Sequence, residues 1–513
     1  MAVLSVLLGS FAAASLVTAA PAGGSTYERH NQHRSPHHYI VPRAPAVALA
    51  QHTFPLERRV VTGRARPRPW HNPDRQPVPT KYTQLAPEGP PSGANVSTGS
   101  APAANHDIEY ITQVQAGQNN LSLVVDTGSS DTWFVQQNFE CVDPQYHTPV
   151  LAAYCAFGPA FKGDFPGGAI TNQHLSVAYG SEGGPFIQGT LGYSDLMVSG
   201  FKTAKQIIGL ALQGYWDGDG VTSGLLGLGL PGLTNAFAGS LADANTRSGA
   251  LSDVLHGPVE YNPLVSTLAA ANNITQFSLA LSRDPGESVL ALGGAPPNVP
   301  IDESLGWVTT PIVKTQLRKS TAPSYMYYTI SVEQIIFNSS TLVRNFTTAA
   351  MPTMGTQPLA EAPIIVDSGT TLNLFPYDIA EAINQLYVPH AQYDPDQGIF
   401  EVRCDATPPS LGIKIAGKTI WTDPKSMIMT PSRSGAGLGN GGMCLSGIGV
   451  RTDTPYILGD VFMQQLVTVF DTANLEIKFA KRLPSTGTKT AQPSPAKPGN
   501  PLKPSKSSKP TPK

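Results

Sequence analysis

The sequence predicts a β-rich protein built from two similar lobes, and three observations carry that prediction. The stretch L-V-V-D-T-G-S-S at 123–130 returns as I-I-V-D-S-G-T-T at 364–371, so that an apolar strand-like run twice delivers an Asp into a tight turn. These residues, Asp126 and Asp367, lie 241 positions apart, which suits one copy in each of two lobes facing a cleft. The composition, with 49 Gly, 47 Pro and 14% charged residues in 513, is typical of a large, turn-rich β protein.

The repeated turn also indicates a chemistry. Two carboxylates that are close enough to share a proton cannot both ionise cheaply, so one serves as an acid while the other serves as a base. A water between them would become the nucleophile, and no covalent intermediate would be needed. Gly128 and Gly369 would let the backbone approach the carboxylates closely. One such turn is an ordinary way to end a strand, and it is the duplication that favours a catalytic pair.

Position by position, both copies resemble the signature of the pepsin-like aspartic proteases, a bilobal all-β family, and the resemblance covers roughly residues 105 to 483. It implies an endopeptidase that cleaves peptides between hydrophobic residues at acidic pH and needs neither cofactor nor metal. It also implies that Thr127 and Ser368 cross-link the two turns through their hydroxyls. Ser129 and Thr370 would then hydrogen-bond the outer carboxylate oxygens.

A second resemblance concerns the flap, the β-hairpin that closes over substrate in this family. Trp133 follows Asp126 by seven residues, as the family's structural Trp does, and S-V-A-Y-G-S-E-G-G at 176–184 resembles the flap itself. The resemblance implies that Tyr179 bonds toward Trp133, with Gly180 and Ser181 beside it over the substrate. About three extra residues, including those at 185–186, depart from the family's flap.

Apolar runs with glycine also occur twice. G-L-L-G-L-G at 224–229 and I-L-G-D at 457–460 are similar to the family segments that pass behind the two Asp turns. The first run is not a phosphate-binding loop, because no G-K-[ST] follows it. We expect lobe boundaries of 105–300 and 301–483, and the insertion at 237–262 receives no role.

The ends of the chain differ from the middle. Residues 1–20 resemble a secretory signal peptide, with a short hydrophobic anchor as the alternative, and no other apolar run is long enough to span a membrane. Residues 21–104 are rich in Pro, His and Arg and are interpreted as a propeptide, with a disordered linker as the alternative. Its Lys81-Tyr82 pair resembles one that reaches the active site in family zymogens. Arg58-Arg59 is a competing processing site.

Charge is segregated along the chain. Residues 21–100 carry ten basic and four acidic residues, and 484–513 carry six Lys and no acid, whereas the remaining body has a net charge of −14. An acidic body excludes a typical nucleic-acid binder and predicts that the basic segment lies over the cleft as the protein's own inhibitor. The tail at 484–513 is predicted to be disordered, and it is interpreted as an O-glycosylated or wall-adhering stalk, with an inert tail as the alternative.

Four cysteines in an exported chain favour two disulfides over a metal site. Local pairing joins Cys141 with Cys155, and the resemblance pairs Cys404 with Cys444. Candidate glycosylation sequons begin at Asn95, Asn120, Asn273, Asn338 and Asn345.

Three other classes of protein account for the sequence less well than a protease does. A glycosidase also uses two carboxylates but does not call for twin D-[ST]-G turns. A catalytically dead, pepsin-like binding protein would show a substituted Asp or Gly, and a structural wall protein would not explain the carboxylate pair. The sequence therefore predicts a secreted, extracellular, monomeric aspartic endopeptidase made as a zymogen.

Overall fold

The computed structural model describes residues 47–59, 109–144, 146–180, 184–245, 257–284, 286–315, 323–338, 343–347, 362–394, 399–429, 442–451 and 455–483. The predicted signal peptide, Lys81-Tyr82, Ser181, Asn95 and the tail from 484 lie outside these ranges. The compact unit that contains the described residues begins at Val47. Strands dominate it, and no helix in these ranges is long and apolar enough to cross a bilayer.

The predicted first lobe contains most of the long strands. In chain order its elements are β1 (His52–Arg59), β2 (Glu109–Ala116), β3 (Asn119–Asp126), β4 (Trp133–Cys141), β5 (Ala169–Ala178), β6 (Phe186–Val198), β7 (Phe201–Tyr215), β8 (Gly224–Gly227), β9 (Ala236–Ala238), α1 (Leu241–Ala244), α2 (Leu264–Asn272), β10 (Gln276–Ala280) and β11 (Ser288–Leu292).

The predicted second lobe is built from shorter strands. Its elements are β12 (Val308–Pro311), β13 (Thr329–Val332), β14 (Gln334–Asn338), β15 (Val343–Thr347), β16 (Ala362–Val366), β17 (Asn373–Phe375), α3 (Tyr377–Asn384), β18 (Gln392–Asp394), β19 (Ile399–Arg403), β20 (Ser410–Ile415), β21 (Lys418–Trp421), β22 (Ile428–Met429), β23 (Met443–Ser446), β24 (Ile448–Val450), β25 (Tyr456–Leu458), α4 (Asp460–Met463), β26 (Leu466–Asp471) and β27 (Glu476–Lys481).

The burial of each strand follows its side-chain pattern. At the end of β2 the exposed Gln113 and Gln115 alternate with the buried Val114 and Ala116, because neighbouring side chains of a strand point to opposite faces. In β3 the run 123–126 is buried throughout, as expected of a strand covered on both faces. The predicted all-β, bilobal class is therefore confirmed.

One large sheet of the described residues has the strand order β12-β27-β26-β10-β11-β1-β2-β3-β8-β4-β7-β6-β5-β9. It brings together strands from both predicted lobes, since β10 pairs antiparallel with β26. Second-lobe strands form a five-stranded sheet, β13-β16-β25-β17-β24, and two four-stranded sheets. The five-stranded sheet carries the second Asp turn in the way that the large sheet carries the first.

Strand β1 lies within the segment interpreted as a propeptide. It pairs antiparallel with β11 and with β2, in the interior of the large sheet. The insertion at 237–262 contributes the end of β9 and helix α1, whose Ser240 forms a reciprocal capping box with Asp243.

Both predicted disulfides are confirmed. Cys141 is bonded to Cys155, and this disulfide closes a loop after β4. Cys404 is bonded to Cys444, and this disulfide links the end of β19 to β23, with which β19 pairs. Among the sequon residues, Asn120 and Asn273 are exposed. The side chains of the other three lie outside the described residues.

Candidate active site

Two parallel strand pairs deliver the two carboxylates to one place. Asp126 ends β3, which runs parallel to β8, and its carbonyl accepts a hydrogen bond from Leu228 N at 2.8 Å. Asp367 follows β16, which runs parallel to β25, and its N–H donates to Leu458 O at 3.1 Å. Both Asp residues are buried, with 5% and 7% of their surface exposed. The apolar-glycine runs therefore lie directly beside the two Asp strands.

Each turn holds its own carboxylate with the same two donors. Gly128 N donates to Asp126 Oδ1 at 2.7 Å, and Gly369 N donates to Asp367 Oδ1 at 2.8 Å. The hydroxyl of Ser129 donates to Asp126 Oδ2, while Thr370 Oγ1 donates to Asp367 Oδ2 at 2.7 Å. One oxygen of each carboxylate is thus bound by backbone and the other by a hydroxyl.

The glycines of the turns face the opposite carboxylates. A Cβ placed on Gly128 would lie 2.5 Å from Asp367 Oδ1, and one on Gly369 would meet Asp126 Oδ1 at a similarly short distance. A side chain at either position would therefore displace the opposite carboxylate. Glycine is required here by close approach rather than by an unusual backbone conformation.

Hydroxyl groups tie the two turns together behind the carboxylates. Thr127 Oγ1 donates to Val366 O at 3.1 Å and accepts from Ser368 N at 2.9 Å. In the reciprocal arrangement, Ser368 Oγ donates to Val125 O at 2.8 Å and accepts from Thr127 N at 3.2 Å. All four bonds are buried, so the separation of the carboxylates is set by a closed set of cross-links.

Electrostatics favour one shared proton. Burial and the neighbouring charge of Asp367 raise the pKa of Asp126 well above its usual range, and hydrogen bonds from Ser129 and Gly128 only partly oppose them. The two carboxyl groups also lie close together, since a Cβ on Gly128, next to Asp126 in the first turn, would lie 2.5 Å from Asp367 Oδ1. Two carboxylates at such close range favour a state in which one of them keeps its proton. The pair can therefore act as an acid and a base at once.

Trp133 and Tyr179 are brought together beside the pair. Trp133 Nε1 donates to Tyr179 Oη at 2.7 Å, across 46 residues of sequence. Tyr179 lies where strands β5 and β6 form a hairpin, and its N–H donates to Pro185 O at 2.8 Å. Gly180 has a positive φ of 69°, which glycine adopts without strain at a hairpin tip.

An aromatic cluster lies under this hairpin. The ring of Trp216 packs edge-on against Trp133 and Tyr179, with centroids 5.2 Å apart in both pairs. Phe157 stacks on Trp216 at 6.1 Å and meets Trp133 edge-on at 5.9 Å. Since Phe157 follows Cys155 by two residues, the first disulfide helps to hold this wall in place.

Sequence reasoning missed a buried carboxylate at the end of the first turn. Asp131 is 1% exposed and accepts hydrogen bonds from Asn235 N at 3.0 Å, Asn235 Nδ2 at 2.7 Å and Tyr261 Oη at 2.6 Å. Burial raises the pKa of Asp131, and these donors oppose the rise. Tyr261 belongs to the unassigned insertion, and its ring packs against the cluster under the hairpin.

Asp460 is a second buried acid that was missed. It is fully buried in the I-L-G-D run, and neither carboxylate oxygen has a hydrogen-bond partner among the described residues. Burial and the charge of Asp367 raise the pKa of Asp460, whereas Arg58 of β1 opposes the rise. Only an Asp in an otherwise apolar strand-to-helix run could have indicated it.

The sequence of this chain is similar to those of known aspartic proteases. The family profile of eukaryotic aspartyl proteases matches residues 109–482. A probable aspartic-type endopeptidase of Aspergillus fumigatus is 29% identical over 86% of this chain and 97% of its own length. Pepsin A of Rhinolophus ferrumequinum is 28% identical over 73% of this chain and 81% of its own length.

A solved structure supports the same fold. The aspartic proteinase of Irpex lacteus aligns with a TM-score of 0.52 and 21% identity, over 74% of this chain and 96% of that protein. At this identity the likeness concerns the fold alone. The match of the family profile to most of the chain, together with the twin Asp turns, shows that this chain belongs to the eukaryotic aspartyl protease family and is an aspartic-type endopeptidase.

Proposed function

We propose that Asp126 and Asp367 are the catalytic residues of this endopeptidase. The observation that carries the proposal is the close approach of two buried carboxylates, each held by a glycine N–H and a hydroxyl and each facing the glycine of the opposite turn. The ionised member would take a proton from a water, and the protonated member would polarise the scissile carbonyl. Thr127, Ser368, Ser129 and Thr370 hold the pair in position without touching the substrate.

Isosteric replacement tests this assignment. Asp126→Asn and Asp367→Asn should each lower kcat for a peptide substrate by at least about 10³-fold, because either change removes the acid–base partnership. Asp195→Asn is the matched control, since Asp195 is exposed, pairs with Lys202 and accepts a hydrogen bond from Lys205 N, away from the two Asp turns. Thermal unfolding should show that all three variants fold. Appreciable cleavage by either dyad variant would refute the assignment.

We propose that the enzyme prefers hydrophobic side chains next to the scissile bond. The aromatic cluster of Trp216, Phe157 and Tyr179 supports this preference, because it presents an apolar wall beside the carboxylate pair. A peptide library read by mass spectrometry should show enrichment of aromatic and large aliphatic residues at the cleavage site. Enrichment of charged residues on both sides would contradict it.

We propose that the protein is a secreted, monomeric zymogen. The two disulfides support an oxidising compartment, and Asn120 and Asn273 are accessible to glycosylation. The acidic body and the basic segment at 21–100 support latency at neutral pH and release on acidification, when carboxylates lose charge. N-terminal sequencing of secreted protein before and after acidification, with a peptide assay, tests both points. Full activity at neutral pH with that segment intact would refute the latency.

The alternative of an inactive binding protein finds no support. Both turns retain their Asp, glycine and hydroxyl residues, and the hydrogen bonds that a catalytic pair requires are present in both.

A further inference from the structure

Strand β1 occupies the interior of the large sheet, although the chain reaches it long before the first catalytic lobe. Residues 52–56 pair with β11, from His52 opposite Leu292 to Leu56 opposite Ser288. Residues 57–59 then pair with β2, from Glu57 opposite Ile111 to Arg59 opposite Glu109. Without β1, the described strands β11 and β2 would each lose a partner, and their backbone groups would be left unpaired.

The side chains of β1 complete the core. Phe54 and Leu56 lie two residues apart on one face, with 8% and 1% of their surface exposed, and both belong to the main hydrophobic cluster. Thr53 on the opposite face is exposed. The strand is therefore part of the packing of the catalytic unit.

Its two arginines meet buried acids. Arg59 Nε lies 3.3 Å from Asp219 Oδ2, a side chain with only 4% exposure. The charge of Arg58 opposes the burial-driven rise in the pKa of Asp460, and that of Arg59 does the same for Glu109, whose pKa is about 8. Removal of β1 would leave these acids without the cations that face them.

No stretch between β1 and β2 has the pattern needed to take its place. A substitute would have to present two large apolar residues two positions apart, as Phe54 and Leu56 do. The large apolar residues of 60–107 are Val60, Val61, Trp70, Val78, Tyr82, Leu85 and Val96, and no two of them have that spacing. The same stretch contains nine prolines, which interrupt strand pairing.

We propose that residues 47–59 remain bound as a permanent strand of the working protease, and that maturation cuts the chain between 60 and 108. The active form would then consist of two chains held together without a covalent bond between them. This inference rests on the proposed zymogen only in that a cut between residues 60 and 108 takes place. What is released would come from upstream of residue 47 or from within 60–108, and never from β1 itself.

Mass spectrometry of the activated enzyme tests the proposal. The purified precursor is acidified, its peptidase activity is confirmed, and the active peak from gel filtration is analysed under denaturing conditions. We expect a peptide containing residues 47–59 in amounts equal to the catalytic chain. An active species without residues 47–59 would overturn the retained strand, and an active chain that is uncut between 60 and 108 would overturn the proposed cut.

A second arm does not depend on the protein's own activity. The Asp126→Asn precursor is cut with trypsin, which has sites at Arg64, Arg75 and Lys81 between the two strands. The peptide that carries β1 should co-elute with the body and dissociate only in denaturant. Dissociation in native buffer, with the body still folded, would refute the retained strand. An inactive acidified wild type beside a retained peptide would instead refute the proposed catalysis alone.

Paired substitutions locate the cause of retention. Leu56→Asp places a charge in the core and should release the cut peptide at least about 100-fold faster, whereas Thr53→Asp on the exposed face should change the rate less than about threefold. Arg59→Gln, which keeps the packing of Phe54 and Leu56, should give an intermediate increase of about tenfold through loss of the contact with Asp219. Equal rates for Leu56→Asp and Thr53→Asp would overturn the proposal.

Discussion

The two Asp turns share a backbone framework but differ in what surrounds it. The N–H groups of Gly128 and Gly369 make equivalent hydrogen bonds to the Asp of their own turn. The hydroxyls of Thr127 and Ser368 likewise accept equivalent hydrogen bonds from the opposite turn. Five residues after each of these Asp residues, the first turn carries the buried carboxylate Asp131, whereas the second carries Leu372 in the hydrophobic core. The chemistry is therefore held symmetrically, while its connections to the rest of the protein are not.

This difference follows what each lobe has to support. Asp131 anchors Asn235 and Tyr261 beside the hairpin that carries Tyr179, so a polar residue links the first turn to the flap. Leu372 packs into the main hydrophobic cluster instead.

In the segments behind the turns, it is the second lobe that carries the buried acid and the first that carries an apolar residue. Leu228 follows Gly227 in the first lobe, and Asp460 follows Gly459 at the corresponding place in the second. Leu228 is an apolar core residue, while Asp460 is a fully buried acid without a hydrogen-bond partner among the described residues. A further buried carboxylate thus lies at the end of the first turn, as Asp131, and behind the second turn, as Asp460.

The largest expected effect tests the symmetric part of the comparison. Gly128→Ala and Gly369→Ala each place a methyl group against the opposite carboxylate, so kcat should fall by about 10²-fold or more in both variants. Steady-state kinetics on one peptide measures the two losses. A severe loss in one variant with near-normal activity in the other would break the symmetry.

The hydroxyl cross-links should govern stability. Thr127→Val leaves Val366 O and Ser368 N without their buried partner, and Ser368→Ala leaves Val125 O and Thr127 N without theirs. Each change should cost about 2–4 kcal/mol in the free energy of unfolding. Since the two residues bond each other, the double variant should cost less than the sum. Additive losses in denaturant titrations would show that the cross-links act separately.

Asp460 should make stability depend on pH. An acid whose pKa is raised by folding binds protons that the unfolded state has lost, so the free energy of unfolding falls as pH rises above about 4. Asp460→Asn should reduce that slope by up to about 1.4 kcal/mol per pH unit and leave stability near pH 3 unchanged. Denaturant titrations from pH 3 to 7 measure it. An unchanged slope would show that Asp460 ionises freely in the folded protein.

The smallest effect concerns the flap anchor. Tyr261→Phe removes one donor from Asp131 while keeping the ring, so it should cost about 1–2 kcal/mol and raise KM several-fold with little change in kcat. Tyr328→Phe is the comparison variant. The Tyr328 hydroxyl donates a hydrogen bond to Leu228 O at 2.7 Å, and this bond does not involve the hairpin. An equal change in KM for both variants would mean that Tyr261 has no particular connection to the flap.

Local patterns were sufficient to predict much of this site. The repeated run of strand, Asp, hydroxyl and glycine specifies a turn through short-range sterics and hydrogen bonds, so Asp126 and Asp367 could be identified from neighbouring residues. The same holds for the 14-residue Cys141–Cys155 loop. The flap contact between Trp133 and Tyr179 was expected only through resemblance to the family.

Tertiary structure alone decided the remaining contacts. Asp131 meets Tyr261 across 130 residues, and Arg59 meets Asp219 only because β1 lies beside β2 in the sheet. Neither pair has a local signature, since an isolated Asp, Tyr or Arg is compatible with an exposed position as well as a buried one. In this protein the local sequence determined how each Asp is presented. Packing of the sheet decided which distant residues surround the pair, because burial and strand pairing depend on the whole fold.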